Sequence, residues 1–269
     1  HAAWALTLSQ SPPGSVEPFV RPNVIISIDD SGSMDYRVDS ESTSGATNNL
    51  VPNPDGSWPM SSRRMNVLKY TLRSIFDPAD ANYDATLLPD KKIRLAWQVM
   101  HNNGSAPDAK NVDSATMKTN SMRVLQNPHR ANFLGFVNSL KPKNATPSHL
   151  MFSQADAYMR QPLGASSAWA SEPGTTAAPY LGCRRSYHIM MTDGRWNSNP
   201  TGGQRDGVNS LTLPDGTVYA DGSAAQNAKV ALYRDPYSNT LADWAFRSWS
   251  TALQPAASLS GTMQPTADY

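Results

Sequence analysis

Apolar and polar positions succeed one another in short blocks along this chain, and each block has a legible period. Val24 to Ile28 is a mostly β-branched apolar run bounded by Pro22 and an Asp-Ser-Gly cluster, which predicts a strand buried on both faces, as in a parallel sheet. Arg64 to Phe76 carries Met65, Leu68, Leu72 and Ile75 at helical spacing, with Pro78 beyond to stop it. Ile93, Leu95, Trp97 and Val99 alternate with polar or small residues and predict a strand over Lys92 to Met100. Val124-Leu125 is the core of a short further strand. Asn132 to Leu140 reads as a helix, with Phe133, Phe136, Val137 and Leu140 along one side. Thr146-Pro147 opens another helix, with Leu150, Met151, Ala155 and Tyr158-Met159 inward.

Tyr187 to Met191 is a further buried strand, ending at Thr192-Asp193-Gly194. Leu211 to Tyr219 predicts a hairpin turning at Asp215-Gly216. Thr240 to Leu253 closes the series as an amphipathic helix built on Leu241, Trp244, Ala245, Trp249 and Leu253. Strands alternating with helices imply an α/β fold: a doubly wound, mostly parallel, Rossmann-like sheet flanked by helices, with long loop and β-hairpin insertions. On this reading residues 1–22 are an extended lead-in and 23–257 one domain, with 258–269 a C-terminal linker. Polar insertions near 160–186 and 195–238 are expected to shape the surface around the ligand crevice.

Composition narrows the function. With 23 Lys+Arg against 22 Asp+Glu, the chain lacks the basic excess that marks a nucleic-acid or anionic-membrane partner. No apolar run approaches the length of a membrane span. The single Cys183 cannot form an internal disulfide, and by itself it does not decide the compartment.

The candidate chemistry lies at predicted strand ends. In a doubly wound sheet, ligands bind beyond the carboxyl ends of the strands. Asp29-x-Ser31-x-Ser33 and Asp193 both follow predicted strands, and Thr146 lies in a loop entering a helix. Each motif alone has a plainer reading: a turn, a helix start with Thr as N-cap and Pro at the first position, and an Asp-Gly turn. Together, in this order, Asp29, Ser31, Ser33, Thr146 and Asp193 form an oxygen-only set without His or Cys. Hard oxygen donors select Mg²⁺, Ca²⁺ or Mn²⁺ over zinc or copper. Trp196 and Asn197 follow Asp193 closely enough to line the same crevice. The acidic run Asp77, Asp80, Asn82, Asp84 departs from a calcium loop at Ala85 and Lys91 and reads as a solvated turn. His149 reads as a helix-start surface residue and His188 as a packed one. Hydrolase-elbow, zinc-protease and phosphate-loop motifs are missing, so no enzyme activity is expected.

The three candidate metal segments resemble the metal-ion-dependent adhesion site of von Willebrand factor A-type domains. In that family the hydroxyls corresponding to Ser31, Ser33 and Thr146 bind the ion directly, and the carboxylates corresponding to Asp29 and Asp193 act in part through water. A closer resemblance covers most of the chain. Cys183 to Asn197 and Asp235 to Asp243 are similar to segments of the type IV pilus tip-adhesin family (the PilY/PilC-type proteins), as are Asn23 to Met34 and Asn144 to His149. One departure is Asn144-Ala145, where the family more often has a Gly pair before Thr-Pro.

This resemblance implies an exported protein at the pilus tip or cell surface, associated with the outer membrane and acting in pilus assembly, attachment and twitching motility. It implies minor pilins or other tip proteins as partners, a host or surface ligand offering an acidic group, and a C-terminal propeller lying outside this chain. Two alternatives remain open. One is a structural docking domain for minor pilins in which the cation only stabilises the fold. The other is an A-type subunit of a metal-insertion or ATPase complex.

Overall fold

The computed structural model describes residues 20–48, 51–101, 122–182, 184–194, 196–197, 211–212, 218–219, 237 and 240–255. The expectations for most of the lead-in, Cys183, the turn at Asp215-Gly216, most of the 195–238 insertion and the 258–269 linker lie outside the described residues.

The β-branched run after Pro22 becomes β1 (Asn23–Ile28), buried at every one of its six residues. It is flanked on both sides. β2 (Arg94–Val99) pairs with it in parallel along one edge, and β4 (Ser186–Met191) does so along the other. The short β3 (Arg123–Val124) adds to β2 in the antiparallel sense, giving the sheet order β3-β2-β1-β4. The fold is thus an α/β sheet of mixed direction with flanking helices, consistent with the Rossmann-like, A-type reading. A separate antiparallel pair, β5 (Leu211–Thr212) with β6 (Val218–Tyr219), supplies the strands of the expected hairpin.

Alternation along β1 and β2 sorts two cores onto opposite faces of the sheet. Val24, Ile26 and Ile28, with Leu95, Trp97 and Val99, pack against α1 (Arg64–Phe76) and α2 (His129–Ser139). Trp97 is the hub of that core, with Phe133 at 5.2 Å and Phe136 at 5.8 Å between ring centroids. Burial of each large apolar side chain there contributes about 2 kcal/mol. On the other face, Ile25 and Ala96 meet Ala155, Tyr158 and Met159 of α3 (Ser148–Met159) together with Trp169. Ser27 interrupts the apolar run of β1 for a reason. Its hydroxyl accepts from Gln98 Nε2 at 2.7 Å and lies 2.7 Å from His188 Nε2, joining three strands across their middle.

Four expectations need correction. The α2 helix begins at His129 rather than Asn132. Its polar first residues hide the start, because His129 Nε2 bonds Leu95 O and Arg130 is buried against Asp90, Phe76 O and Leu88 O. The last strand is not buried throughout: Tyr187 and Ile189 are 48% and 47% exposed, because β4 lies at the margin of the described sheet. The closing helix α4 (Leu241–Ser250) buries Asp243, Trp244, Phe246 and Ser250, and leaves Trp249 exposed. Its seam with α3 pairs the Trp244 ring with that of Phe152, centroids 6.4 Å apart, and adds polar contacts from Ser248 Oγ donating to Asp156 and from Arg160 reaching Ala252 O and the Thr251 hydroxyl. Finally, the stretch after α3 does not surround the crevice. Ala168, Trp169 and Ala170 are buried, and Arg94, at the amino end of β2, bonds the carbonyls of Ala168 and Ala170.

Candidate metal centre

β1 is the strand at which the winding reverses, with β2 on one side and β4 on the other, so the crevice belongs beyond the carboxyl ends of β1 and β4. Asp29 and Asp193 stand at those two ends. Asp29 N bonds Met191 O at 2.8 Å, which carries the pairing one step past the sheet. The next residues turn at once into a 3₁₀ segment, Gly32–Asp35.

Hydrogen bonds join the first and last loops into one array. Asp29 Oδ1 accepts the Ser31 N–H at 2.8 Å. The Ser31 and Ser33 hydroxyls lie 3.0 Å apart, and Ser33 Oγ donates to Asp193 Oδ1 at 2.9 Å. Asp29 Oδ2 accepts from Thr192 Oγ1 at 2.7 Å. Asp29 and Ser31 are fully buried.

The middle loop is drawn in through its backbone. Gly32 N donates to Asn144 O at 3.0 Å, and Lys143 N donates to Asp30 O at 2.8 Å. A Cβ at Gly32 would stand 3.3 Å from Asn144 O, so glycine permits this approach. Asn144 itself has φ +63°. That left-handed conformation is the physical reason a glycine suits this position, and Asn is among the few residues that tolerate it. Thr146 is buried, and α3 begins two residues later with no side-chain cap. The Thr146 hydroxyl is therefore not spent as an N-cap, as a plain helix start would require.

Trp196 and Asn197 divide between two tasks. Asn197 Oδ1 accepts the Thr146 N–H at 2.7 Å and ties the last loop to the middle one. Trp196 is 45% exposed and stands edge-on to His149, ring centroids 4.9 Å apart. His149 is buried beneath it rather than on the surface.

Three participants escaped the sequence reading. Thr192 is one, through its bond to Asp29. Arg64 is the second: its Nη1 meets Asp193 Oδ2 at 2.6 Å, while Nε bonds Arg37 O. A signal for it does exist, because the first turn of α1 holds no acidic residue. A helix that starts on arginines runs against its own dipole and needs another reason for the charge. Asp30 is the third. Burial pushes its carboxyl up to about 7, although the His101 N–H at 2.9 Å counteracts this, and the charge of Asp29 adds to the rise.

Among the described residues no group of three or more His, Cys, Asp or Glu side chains gathers. The donor set is instead hydroxyls with two carboxylates, all within one hydrogen-bonded array, which matches a hard divalent cation. Ser31 and Ser33, with Asp29 and Asp193 behind them, could hold it, and Thr146 follows two residues after the Asn144 carbonyl that meets Gly32. The acidic run after α1 forms successive local turns, in which Asp77, Asp80 and Asp84 each accept a backbone N–H two residues on.

No family model matches the chain, and no solved structure gives a significant match. Curated proteins do match. The chain is 31% identical over 186 residues to "Type IV pilus biogenesis factor PilY1" of Pseudomonas aeruginosa strain PAK, an alignment covering 69% of this chain and 15% of that protein. The same factor in strain UCBPP-PA14 is 30% identical over 201 residues, covering 74% of this chain and 15% of the relative. The chain therefore matches about 15% of the length of these relatives. Among the described residues no helix is long and apolar enough to cross a membrane. With β1, β4 and their crevice loops in place, this shared stretch makes the chain a member of the PilY1 family of type IV pilus biogenesis factors.

Proposed function

We propose that the chain is a metal-dependent binding module of the type IV pilus rather than an enzyme. The observation that supports this best is the continuous array Asp29–Ser31–Ser33–Asp193 at the point where the sheet reverses its winding. A divalent cation held there by Ser31, Ser33 and Thr146 would supply an electrophilic point for one more, anionic, ligand. Neutral hydroxyls leave the charge largely uncancelled, while Asp29 and Asp193 fix the hydroxyls around it. An acidic side chain of a partner is the natural ligand, and Trp196 offers an apolar wall beside it. No bond is made or broken.

Membership of the pilus family supports minor pilins or other tip proteins as partners. It equally supports a host or surface ligand, a propeller of the same protein, an exported location at the pilus tip and outer membrane, and roles in attachment and twitching. Calorimetric titration of the chain with Mg²⁺, Mn²⁺ and Ca²⁺ tests the mechanism. At least one should bind with a stoichiometry near one, and Asp193→Ala and Ser31→Ala should abolish the heat. A wild-type chain that binds none of the three ions removes the proposal.

One observation favours a second reading. Arg64 already occupies one oxygen of Asp193, so the crevice loops are partly clasped without an ion. If the cation only stiffens these loops, as in a docking scaffold, it raises the melting temperature while pilin binding is unchanged by Ser31→Ala.

A further inference from the structure

Away from the crevice, α1 helps to form a polar pocket that the metal-dependent reading does not use. The helix leaves the metal centre at Arg64, and Arg73 stands about 14 Å further along its axis. There Lys69, Tyr70 and Arg73 of α1, Asn138 in the last turn of α2 and Asp80 of the acidic turn after α1 line a cavity of about 240 Å³. At about 30 Å³ each, that is the room of roughly eight waters. It is more than a halide needs and less than the sites of drug-sized ligands offer.

The cations of this pocket are placed against helix preference. Lys69 and Arg73 lie one turn apart on α1, where two like charges weaken a helix. Burial, and next the charge of Lys141, weaken the hold of Lys69 on its proton. Lys69 Nζ donates to Asn138 O at 3.0 Å, an ordinary use of lysine at a helix C-terminus, and has two further protons to give. Arg73 comes only within 3.6 Å of Asp77, beyond hydrogen-bond length, and its side chain is 42% exposed. Capping accounts for one bond of Lys69, and the helix dipole for the sign of Arg73. Neither accounts for the cavity they line.

The other walls have a different chemistry. Trp58 stands edge-on to Tyr70, ring centroids 5.1 Å apart, and holds that ring in place. The Tyr70 hydroxyl accepts from Asn82 Nδ2 at 3.0 Å and keeps its own proton to donate. Asp80 turns Oδ1 to the backbone and side-chain amides of Asn82, and its Oδ2 has no partner among the described residues. A ligand that suits these walls carries a carboxylate for Lys69 and Arg73, a neutral donor for Asp80 and an apolar face for the Tyr70 ring. The donor is a hydroxyl rather than an ammonium, because Lys69, Arg73 and Lys141 repel a further cation. Phosphate and sulfate lack the apolar face. One sugar ring bearing a carboxylate has all three features.

We propose that this pocket binds a sugar acid, with its carboxylate on Lys69 and Arg73, a ring hydroxyl on Asp80 and its C–H face on Tyr70. The test is a titration of the chain with glucuronate, followed by ligand-detected NMR. EDTA is present, so that a carboxylate finds no metal ion at the crevice. Glucuronate should bind saturably. Glucose, which lacks the carboxylate, and acetate, which lacks the ring, should each bind about tenfold more weakly or worse. Arg73→Gln and Lys69→Gln should each weaken glucuronate binding about tenfold. Asp80→Asn should narrow the preference for glucuronate over acetate. All three positions are partly exposed, so a thermal melt near that of the wild type certifies the fold. A wild-type chain with no saturable glucuronate binding overturns the proposal. So does phosphate binding as tightly as glucuronate, an affinity unmoved by either charge substitution, or a glucuronate-to-acetate ratio that Asp80→Asn leaves unchanged.

Discussion

The two ends of the central sheet are both polar and both buried, yet they solve the same difficulty in opposite ways. At the carboxyl end, acids and hydroxyls satisfy one another: Asp29, Ser31, Ser33 and Asp193 share hydrogen bonds, and Arg64 balances a carboxylate. At the amino end, Arg94 and Asn23 are almost wholly enclosed and keep atoms with no hydrogen-bond partner among the described residues. Buried polarity is therefore not by itself a sign of function. A set that is internally satisfied and opens on a crevice is poised to exchange its hydrogen bonds for a ligand. A sealed, incomplete set lowers the stability of the fold by the desolvation of its unpaired atoms.

The sharpest break in this comparison is a pair of truncations. Arg94→Ala strips the bonds from Ala168 O and Ala170 O and opens a cavity, and should cost about 3 kcal/mol in denaturant unfolding while leaving metal affinity unchanged. Asp193→Ala should do the reverse, lowering Mn²⁺ affinity about 100-fold or more by calorimetry with a stability change below about 1 kcal/mol. If both variants lose stability equally, the ends are not separable.

Between the two poles stands His188, which burial lowers to about 4, with the charge of Asp156 opposing the shift. Its Nε2 lies 2.7 Å from the Ser27 hydroxyl, whose oxygen already accepts from Gln98. The unfolded chain takes up the proton near pH 6.5, and the folded chain resists it until about 4. Stability is therefore complete above about pH 6.5 and declines as pH falls through that window, by about 3 kcal/mol on linkage arithmetic. His188→Gln should flatten this part of the urea midpoint against pH profile, and an unchanged slope would assign it to other groups.

The smallest effect should come from Arg64. It holds Asp193 and two loop carbonyls, Arg37 O and Ser40 O. Loss of that restraint in Arg64→Ala should weaken Mg²⁺ binding about tenfold. A gain in affinity would show that the guanidinium charge repels the cation more than it orders the site.

Much of this was legible in the chain. The run Val24 to Ile28, the helical spacing from Arg64 to Phe76 and the alternation around Trp97 each report one local period, and the fold class follows from them. The loop positions Asp29, Ser31, Ser33 and Asp193 were legible as well, because a parallel strand's end is marked by the change from apolar to polar residues. What stayed hidden depends on contacts between distant segments. His129 and Arg130 read as polar loop until Leu95 O and Asp90 receive them. Arg64 meets Asp193 across 129 residues. The composition of the stretch around Trp169 announces a surface insertion, and only the indole's bond to Met159 O shows it to be part of a core.

The parallel pairing of β1 with β4 has a mechanical consequence. The two strands run side by side for six registered pairs, from Asn23 with Ser186 to Ile28 with Met191. A pull applied at the crevice reaches both in the same direction, so they share tension like two strands of a cable instead of sliding past each other. A load applied at Asp29 and Asp193 would pass along both strands towards Asn23 and Ser186. A domain loaded this way would divide the force between two strands and the six registered pairs that join them.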